Sequence, residues 1–201
     1  PCEEAGGWDG FKKFSEVCRE LGYVFALHDQ YRDYYYDSPV FDKEKAVTNI
    51  DGTNPYCSIW DGGEHSYLCS EFALEAVKRT YTELEEHGVD VQGAYLDVFS
   101  IMQGDECFHK SHRITREESM QFRGECFDYL NEKGFIMSSE EPGMQLLNHL
   151  ALVHHGPHAL RPQENGVAVG IPVPLGNLVY HDCIMVPWNW FNNWGIPKGE
   201  D

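Results

Sequence analysis

The chain has 201 residues, which is enough for one domain with a sizeable core. Acidic residues outnumber lysine and arginine by 33 to 15, giving a formal net charge of −18. A chain this acidic with no apolar stretch long enough to cross a bilayer is expected to bind neither nucleic acid nor a membrane.

The first helix is predicted at residues 9–21, where apolar side chains recur at helical spacing. Its apolar face consists of Phe11, Phe14, Val17, Cys18 and Leu21. Residues 23–27 then form an apolar strand that leads into His28 and Asp29. Residues 30–69 are predicted to be a long loop rich in Tyr, Asp, Gly and Pro. A loop of that length inside a compact domain is usually functional.

Two helix–strand units follow in the middle of the chain. The second helix is predicted at residues 70–87, with Gly88 at its C-cap, and it leads to a strand at residues 94–99. Its predicted buried stripe consists of Phe72, Ala73, Ala76, Val77, Tyr81 and Leu84. The third helix is predicted at residues 115–133, opened by Thr115 and ended by Gly134, and glutamates in its first turn suit the helix dipole. It precedes a strand at residues 135–139.

The last predicted elements are a short helix at residues 145–154 and a strand at residues 178–185 that carries His181 and Asp182. The alternation of helices and strands predicts an α/β fold with a parallel sheet. Each strand carries acidic or histidine residues at or near its carboxyl end. Barrel enzymes build active sites at that edge, but open doubly wound sheets also bind ligands there, so the strand ends alone do not distinguish the two folds.

Asp97 lies within an otherwise apolar strand. Because successive side chains alternate between two faces, Tyr95, Asp97 and Phe99 should point away from the helices, towards the interior or mouth of a barrel. A carboxylate in an apolar strand is costly unless something stabilises it, which favours a functional role. The alternative is that Asp97 caps a helix or pairs with an arginine.

Glu140 follows the next strand of the predicted sheet. The same alternation puts Glu140 on the face of Ile136 and Ser138, which is also the side of Asp97. Glu141 should then point outward or lie at the rim. Glycoside hydrolysis needs one carboxyl group to attack the anomeric carbon and another to protonate the leaving oxygen. Retaining enzymes hold the two groups about 5–5.5 Å apart, and adjacent parallel strands are about 4.8 Å apart.

The segments around these carboxylates resemble one group of enzymes. Residues 95–99 are similar to the nucleophile strand of the endo-α-N-acetylgalactosaminidase-like barrels, which comprise glycoside hydrolase families 101 and 129 and related uncharacterised bacterial families. Residues 134–140 resemble the strand that ends in the acid/base glutamate of that group. Residues 178–182 resemble a later strand that lines the sugar site.

The resemblance implies a (β/α)8 TIM-type barrel and a retaining glycosidase that cleaves an α-linked glycoside by double displacement. It implies Asp97 as the nucleophile and Glu140 as the acid/base, with an α-N-acetylgalactosaminide as the candidate substrate. In family 101 an aromatic residue commonly follows the acid/base, whereas Glu141 follows here, so the choice between the two glutamates stays open. A barrel usually needs about 250 residues, so this single catalytic domain is expected to be an incomplete portion of one.

Further residues are predicted to bind the sugar. The loop aromatics Tyr31 and Trp60 suit the C–H faces of a sugar ring, and Trp60 is the favoured stacking platform. The alternative is that these rings only pin the long loop. The other candidates lie at strand ends or beside the carboxylates: His28, Asp29, Tyr95, Glu141, His181 and Asp182. Strand alternation predicts that His28 faces the interior and that Asp29 lies at the rim.

Histidine clusters raise the question of a metal. His109 and His112 form one pair, and a second group follows the predicted short helix. The seven cysteines contain no CxxC pair, and no cysteine or carboxylate lies at ligand spacing, so neither a disulfide framework nor a zinc site is expected. Reduced thiols favour a reducing compartment, although a signal peptide could have been removed. We expect no required cofactor. The many loop carboxylates suit a structural calcium ion.

Two other functions compete with the glycosidase. The first is a metal-dependent hydrolase whose metal would be held by strand-end residues, namely His28, His181 and Asp182. The second is a non-catalytic carbohydrate-binding barrel that keeps the pocket without the chemistry.

Overall fold

The computed structural model describes residues 2–60, 62–100, 103–141, 143–154 and 175–186. These residues form four α-helices: α1 (Gly7–Glu20), α2 (Ala73–Glu86), α3 (Arg116–Glu132) and α4 (Leu175–Tyr180). They also form seven strands: β1 (Ala26–Asp29), β2 (Asp33–Tyr35), β3 (Ser58–Trp60), β4 (Gly63–Tyr67), β5 (Gly93–Leu96), β6 (Ile136–Ser139) and β7 (Leu152–Val153).

The strands belong to two sheets. β1, β5, β6 and β7 pair in parallel in that order and form the parallel sheet. β2, β4 and β3 pair antiparallel and form the insertion sheet, which lies in the chain between β1 and α2. The parallel sheet with its crossover helices confirms the α/β class. Its strands follow chain order without the reversal that marks a doubly wound sheet.

The ends of α2 and α3 agree with the sequence prediction. Thr115 caps α3 by accepting from the Glu118 amide, and the Glu118 carboxylate accepts from the Thr115 amide in return. Each helix is followed by a glycine with positive φ, Gly88 at 68° and Gly134 at 82°. The amides at and after each glycine donate to carbonyls of the last turn, so these carbonyls, which the helix itself leaves unpaired, have partners.

The main apolar core lies between the parallel sheet and helices α2 and α3. Its largest members include Val77, Tyr81, Leu84, Leu96, Phe127, Leu130 and Met137. The predicted stripe of α2 is therefore buried as expected. The predicted face of α1 is not: Phe14 is 56% exposed and Leu21 is 65% exposed. Helix α1 contacts the core through Phe11, whose ring meets Phe25 edge-on at 5.7 Å.

Three predicted elements differ from the structure. The loop at residues 30–69 contains the insertion sheet. The helix predicted at residues 145–154 is only a short 3₁₀ turn, because the chain then pairs with β6 as β7. The strand predicted at residues 178–185 begins instead as α4, and only Met185 reaches the sheet, through a parallel bridge to Leu152. Short apolar runs of this kind do not distinguish helix from strand by periodicity.

Membrane-spanning segments are not found in the described part of the chain. No helix there is both long enough and apolar enough to cross a bilayer.

Candidate active site at the carboxyl ends of the parallel strands

Asp97 lies directly after β5, at the carboxyl edge of the parallel sheet. Its amide still donates to the carbonyl of Asp29 on β1, at 2.9 Å. Val98 then adopts a φ of 55°, a left-handed conformation that is rare for a β-branched residue and costs about 1–3 kcal/mol. This turn breaks the predicted alternation at Phe99, which packs against Phe127 of α3 at 6.2 Å instead of facing the site.

Aromatic side chains from neighbouring strands surround the Asp97 carboxylate. Nε2 of His28 on β1 lies 3.8 Å from Oδ2 of Asp97. The Tyr95 ring lies between His28, at 4.5 Å, and His154, at 4.4 Å. Burial raises the pKa of Tyr95, as do the charge of Asp97, a hydrogen bond with it and the charge of Glu140. The phenol therefore stays protonated and donates to Asp97.

Glu140 lies directly after β6, which pairs with β5. Tyr95 pairs with Ser138, and Asp97 and Glu140 each lie two residues beyond that pair. Adjacent parallel strands are about 4.8 Å apart. The register therefore places Asp97 and Glu140 next to each other at the same edge of the sheet.

Glu141 uses its main chain to join the turns that follow β5 and β6. Its carbonyl accepts from the Ser100 hydroxyl and from the Gly143 amide. The Ser139 hydroxyl adds a further tie by donating to the Leu96 carbonyl at 2.6 Å. Glu140, rather than Glu141, continues the register opposite Asp97, which favours Glu140 as the partner carboxylate.

Two residues near the site, Asp33 and His65, were not recognised from the sequence. Both belong to the insertion sheet, and His65 Nε2 lies 3.8 Å from Asp33 Oδ1. Burial raises the pKa of Asp33; His65 and Arg32 oppose this shift, and the charge of Asp97 adds to it. The insertion sheet therefore approaches Asp97. These two residues are far apart in the chain and form no motif, so only the pairing of β2 with β4 reveals them.

Asp29 and Tyr31 turn towards the core, so the prediction of Asp29 at the rim is wrong. Asp29 accepts hydrogen bonds from the hydroxyls of Tyr31, at 2.5 Å, and of Tyr81 on α2, at 3.4 Å. Burial raises the pKa of Asp29 to about 6 against these hydrogen bonds. Strand alternation directs His28 to the opposite face, so the His28 side chain, and not that of Asp29, lies beside the Asp97 carboxylate.

His181 and Asp182 lie in a turn after α4 and not at a strand end, so their predicted placement is wrong. Both are exposed. Nδ1 of His181 lies 3.2 Å from the Leu178 carbonyl, and Asp182 accepts from the Cys183 thiol at 3.3 Å. They form no ligand cluster with His28 among the described residues, which leaves the metal-dependent hydrolase without its predicted ligands.

Trp60 ends β3, an edge strand of the insertion sheet. Its side chain is 68% exposed, so a face of the indole is open to solvent. Its role as a sugar platform stays a prediction.

One cluster in the described part of the chain has metal-ligand character. It consists of Cys69, Cys107 and His112, all of them buried. Neither cysteine was expected near His112, because the sequence spacing between them follows no metal-binding pattern.

The fold and the paired strand-end carboxylates together define a class: α/β proteins arranged like glycoside hydrolases.

No protein-family model matches the sequence, and none of the curated proteins matches it. Among solved structures, the chain is similar to the α-N-acetylgalactosaminidase NagBb from Bifidobacterium bifidum in its GalNAc complex, at 45% identity and a TM-score of 0.87. That match covers 93% of this chain and 30% of the enzyme. The resemblance inferred from the sequence is thereby confirmed.

More distant glycosidases share the fold alone. The α-galactosidase from Thermus thermophilus in complex with stachyose is 15% identical, with a TM-score of 0.52, over 75% of this chain and 33% of its own. The cycloalternan-degrading enzyme from Trueperella pyogenes is 11% identical, with a TM-score of 0.51, over 73% of this chain and 23% of its own. The chain therefore spans about a third or less of each of these enzymes.

Proposed function

We propose that this chain is the part of a retaining α-glycosidase that carries its catalytic carboxylates, with Asp97 as nucleophile and Glu140 as acid/base. The observation that carries the proposal is the register of β5 with β6, which places Asp97 and Glu140 two residues beyond the Tyr95–Ser138 pair on adjacent strands. Adjacent parallel strands are about 4.8 Å apart, which is compatible with the separation of about 5–5.5 Å that retention requires.

The reaction follows from these roles. The Asp97 carboxylate attacks the anomeric carbon while the glycosidic C–O bond breaks, and the proton of Glu140 goes to the leaving oxygen. The Glu140 carboxylate then takes a proton from water, whose oxygen attacks the anomeric carbon and releases Asp97. Tyr95 orients Asp97, and its ring is held between His28 and His154. Two carboxylates and water supply the chemistry, which needs no cofactor.

A (β/α)8 barrel is the fold that we infer for the whole protein. Four parallel strands in chain order and the fold likeness to larger glycosidases support it. The 45% identity with an α-N-acetylgalactosaminidase favours an α-linked N-acetylgalactosaminide as substrate.

Azide rescue in the complete protein tests both roles, using a nitrophenyl α-N-acetylgalactosaminide. In Asp97→Gly, azide replaces the missing nucleophile, forms the C–N bond as nitrophenolate leaves, and gives the inverted β-azide. In Glu140→Ala, nitrophenolate leaves without a proton, and azide then displaces Asp97 to give the retained α-azide. The matched control Glu141→Ala should turn over without azide.

Full activity of Asp97→Gly without azide would contradict the proposal. So would the same azide anomer from both variants. Sugar binding without hydrolysis across a panel of α-glycosides would instead support the non-catalytic carbohydrate-binding alternative.

A further inference from the structure

Cys69, Cys107 and His112 meet in the interior although they come from two separate loops. Cys69 precedes the 3₁₀ turn that leads into α2, and the other two lie in the loop between β5 and α3. The two cysteines are fully buried, and His112 is 5% exposed. Their two sulfur atoms and one imidazole nitrogen all lie within 4.8 Å of one another.

The His112 ring is held in the orientation of a metal ligand. Its Nε2 lies 2.7 Å from the carbonyl oxygen of Glu44, and because a carbonyl only accepts, Nε2 carries the proton. In the neutral ring, Nδ1 therefore keeps its lone pair, and it faces Cys107 Sγ at 3.5 Å. The ring is further fixed by Phe72, edge-on at 5.1 Å, and by the stacked ring of His109 at 4.0 Å. Metal-binding histidines are commonly oriented by such a second hydrogen bond.

The sulfur–nitrogen distance matches tetrahedral zinc coordination. Bond lengths of about 2.3 Å to sulfur and about 2.0 Å to nitrogen give a separation of about 3.5 Å at the tetrahedral angle. Cys107 Sγ and His112 Nδ1 are 3.5 Å apart. A thiol–imidazole hydrogen bond would have this length too, but it uses one sulfur only. A second soft ligand, Cys69 Sγ, lies within 4.8 Å of both atoms and has only a long hydrogen bond of 3.9 Å to the His112 carbonyl.

The Cys107 sulfur is held by one backbone donor inside an apolar shell. The Thr48 amide donates to Cys107 Sγ at 3.4 Å. The remaining neighbours are apolar, with Val47 and Ile114 buried beside the cysteines. A soft donor set inside an apolar shell suits zinc rather than calcium or magnesium.

We propose that Cys69, Cys107 and His112 bind one zinc ion, with a solvent molecule as the fourth ligand. His109 is outside the cluster: its Nδ1 bonds to Ser111, and its Nε2 lies 3.6 Å from Glu44 Oε2.

The site has a structural role in the fold. Its ligands come from the start of α2 and from the loop that follows Asp97, and their hydrogen-bond partners Glu44 and Thr48 belong to the insertion. One ion therefore fastens the insertion to the loop beside the carboxylates. Losing it should loosen residues 30–69 while leaving β5 and β6 paired.

The test is metal analysis of the complete protein, purified with reductant and without chelator. We expect about one zinc ion per chain. Replacing zinc with cobalt should produce a thiolate-to-cobalt charge-transfer band and the visible bands of a tetrahedral ion. Cys107→Ser and His112→Gln should lose the metal and the bands. The matched control is Cys126→Ala, which removes another fully buried cysteine and should keep both.

Three results would overturn the proposal: no stoichiometric metal together with no cobalt band, metal that Cys107→Ser retains in full, or a Cys69–Cys107 disulfide in protein alkylated before unfolding. If the ligand variants fail to fold, the cobalt titration of the unsubstituted protein decides alone. The catalytically impaired Asp97→Asn should still bind the ion, so this proposal and the glycosidase proposal fail separately.

Discussion

The parallel sheet and the insertion sheet are held in place by different interactions. The parallel sheet rests on one apolar cluster shared with α2 and α3. The insertion sheet has only small apolar clusters, and a buried ionic network anchors it. Arg32 beside β2 forms a bidentate pair with Asp105 at 2.7 and 2.8 Å, and Arg123 of α3 adds a third contact to Asp105 at 2.7 Å.

Because one sheet is held by apolar packing and the other by ionic contacts, the two sheets have different roles at the candidate site. The parallel sheet fixes Asp97 and Glu140 through strand register, which apolar packing makes rigid. The insertion sheet holds Asp33, whose pKa responds to the charge of Asp97, through polar contacts that depend on distant residues. Substitutions in the two sheets should therefore affect different quantities.

The largest effect is expected from Glu140→Gln, which removes the proton donor while keeping the size of the side chain. For a glycoside with a poor leaving group, kcat/KM should fall by about 10²–10⁴-fold. The basic limb of the pH–rate profile should disappear, because an amide does not titrate. Steady-state kinetics across pH measures both.

Glu141→Gln is the control for this change, since it alters the neighbouring carboxylate with the same chemistry. It should keep kcat/KM within about tenfold and retain the bell-shaped profile. Loss of the basic limb in Glu141→Gln would instead identify Glu141 as the acid/base.

Asp105→Asn should destabilise the protein by about 3–5 kcal/mol, because it removes the negative charge that two buried guanidinium groups share. Arg123 is fully buried and the Arg32 side chain is 8% exposed. Urea unfolding of the complete protein measures the change, and the insertion should become more sensitive to protease.

Asp90→Asn is the matched control for the ionic network. Asp90 also meets an arginine, Arg19, at 2.8 Å, but the Arg19 side chain is 60% exposed. Exposed pairs contribute about 0–1 kcal/mol. Equal losses from the two variants would show that the buried network does not anchor the insertion.

Elements with strong local signals were predicted well from the sequence. The periodic stripe of α2, the Thr115 cap of α3 and the glycines after both helices identified these elements. Strand alternation correctly separated His28 from Asp29 but failed after Asp97, because the left-handed Val98 reverses the face of Phe99. No local sequence pattern predicts such a turn.

Long-range contacts explain most of what the sequence did not reveal. The insertion sheet contains short strands of three to five residues, whose pairing depends on Arg32 reaching Asp105 far along the chain. The cluster of Cys69 with His112 has the same origin: its members meet only after folding.

Asp29→Asn should stabilise the protein at neutral pH. The pKa of Asp29 is raised from 3.8 to about 6 by burial, so folding takes up a proton between these values. Wild-type stability from this group is full at low pH and is lost as pH rises through about 6. Asparagine resembles the protonated acid: its Oδ1 accepts from one of the two tyrosine hydroxyls, and its Nδ2 donates to the other. The variant should gain about 1–3 kcal/mol above about pH 7 and nothing near pH 4.

Urea unfolding at several pH values tests this prediction. A constant difference between wild type and Asp29→Asn at every pH would show that the carboxyl group does not titrate in this range.

The smallest effect is expected from Trp60→Ala, and it addresses the insertion sheet directly. If the exposed indole stacks on the sugar, KM should rise about tenfold, equivalent to about 1.4 kcal/mol of binding. Stability should change by no more than about 0.5 kcal/mol, because the side chain is 68% exposed. Ile59→Ala is the control: Ile59 is 69% exposed and points to the other face of β3. Equal changes in KM from the two variants would show that the sugar does not stack specifically on the Trp60 ring. The insertion would then affect the site only through Asp33 and its neighbours.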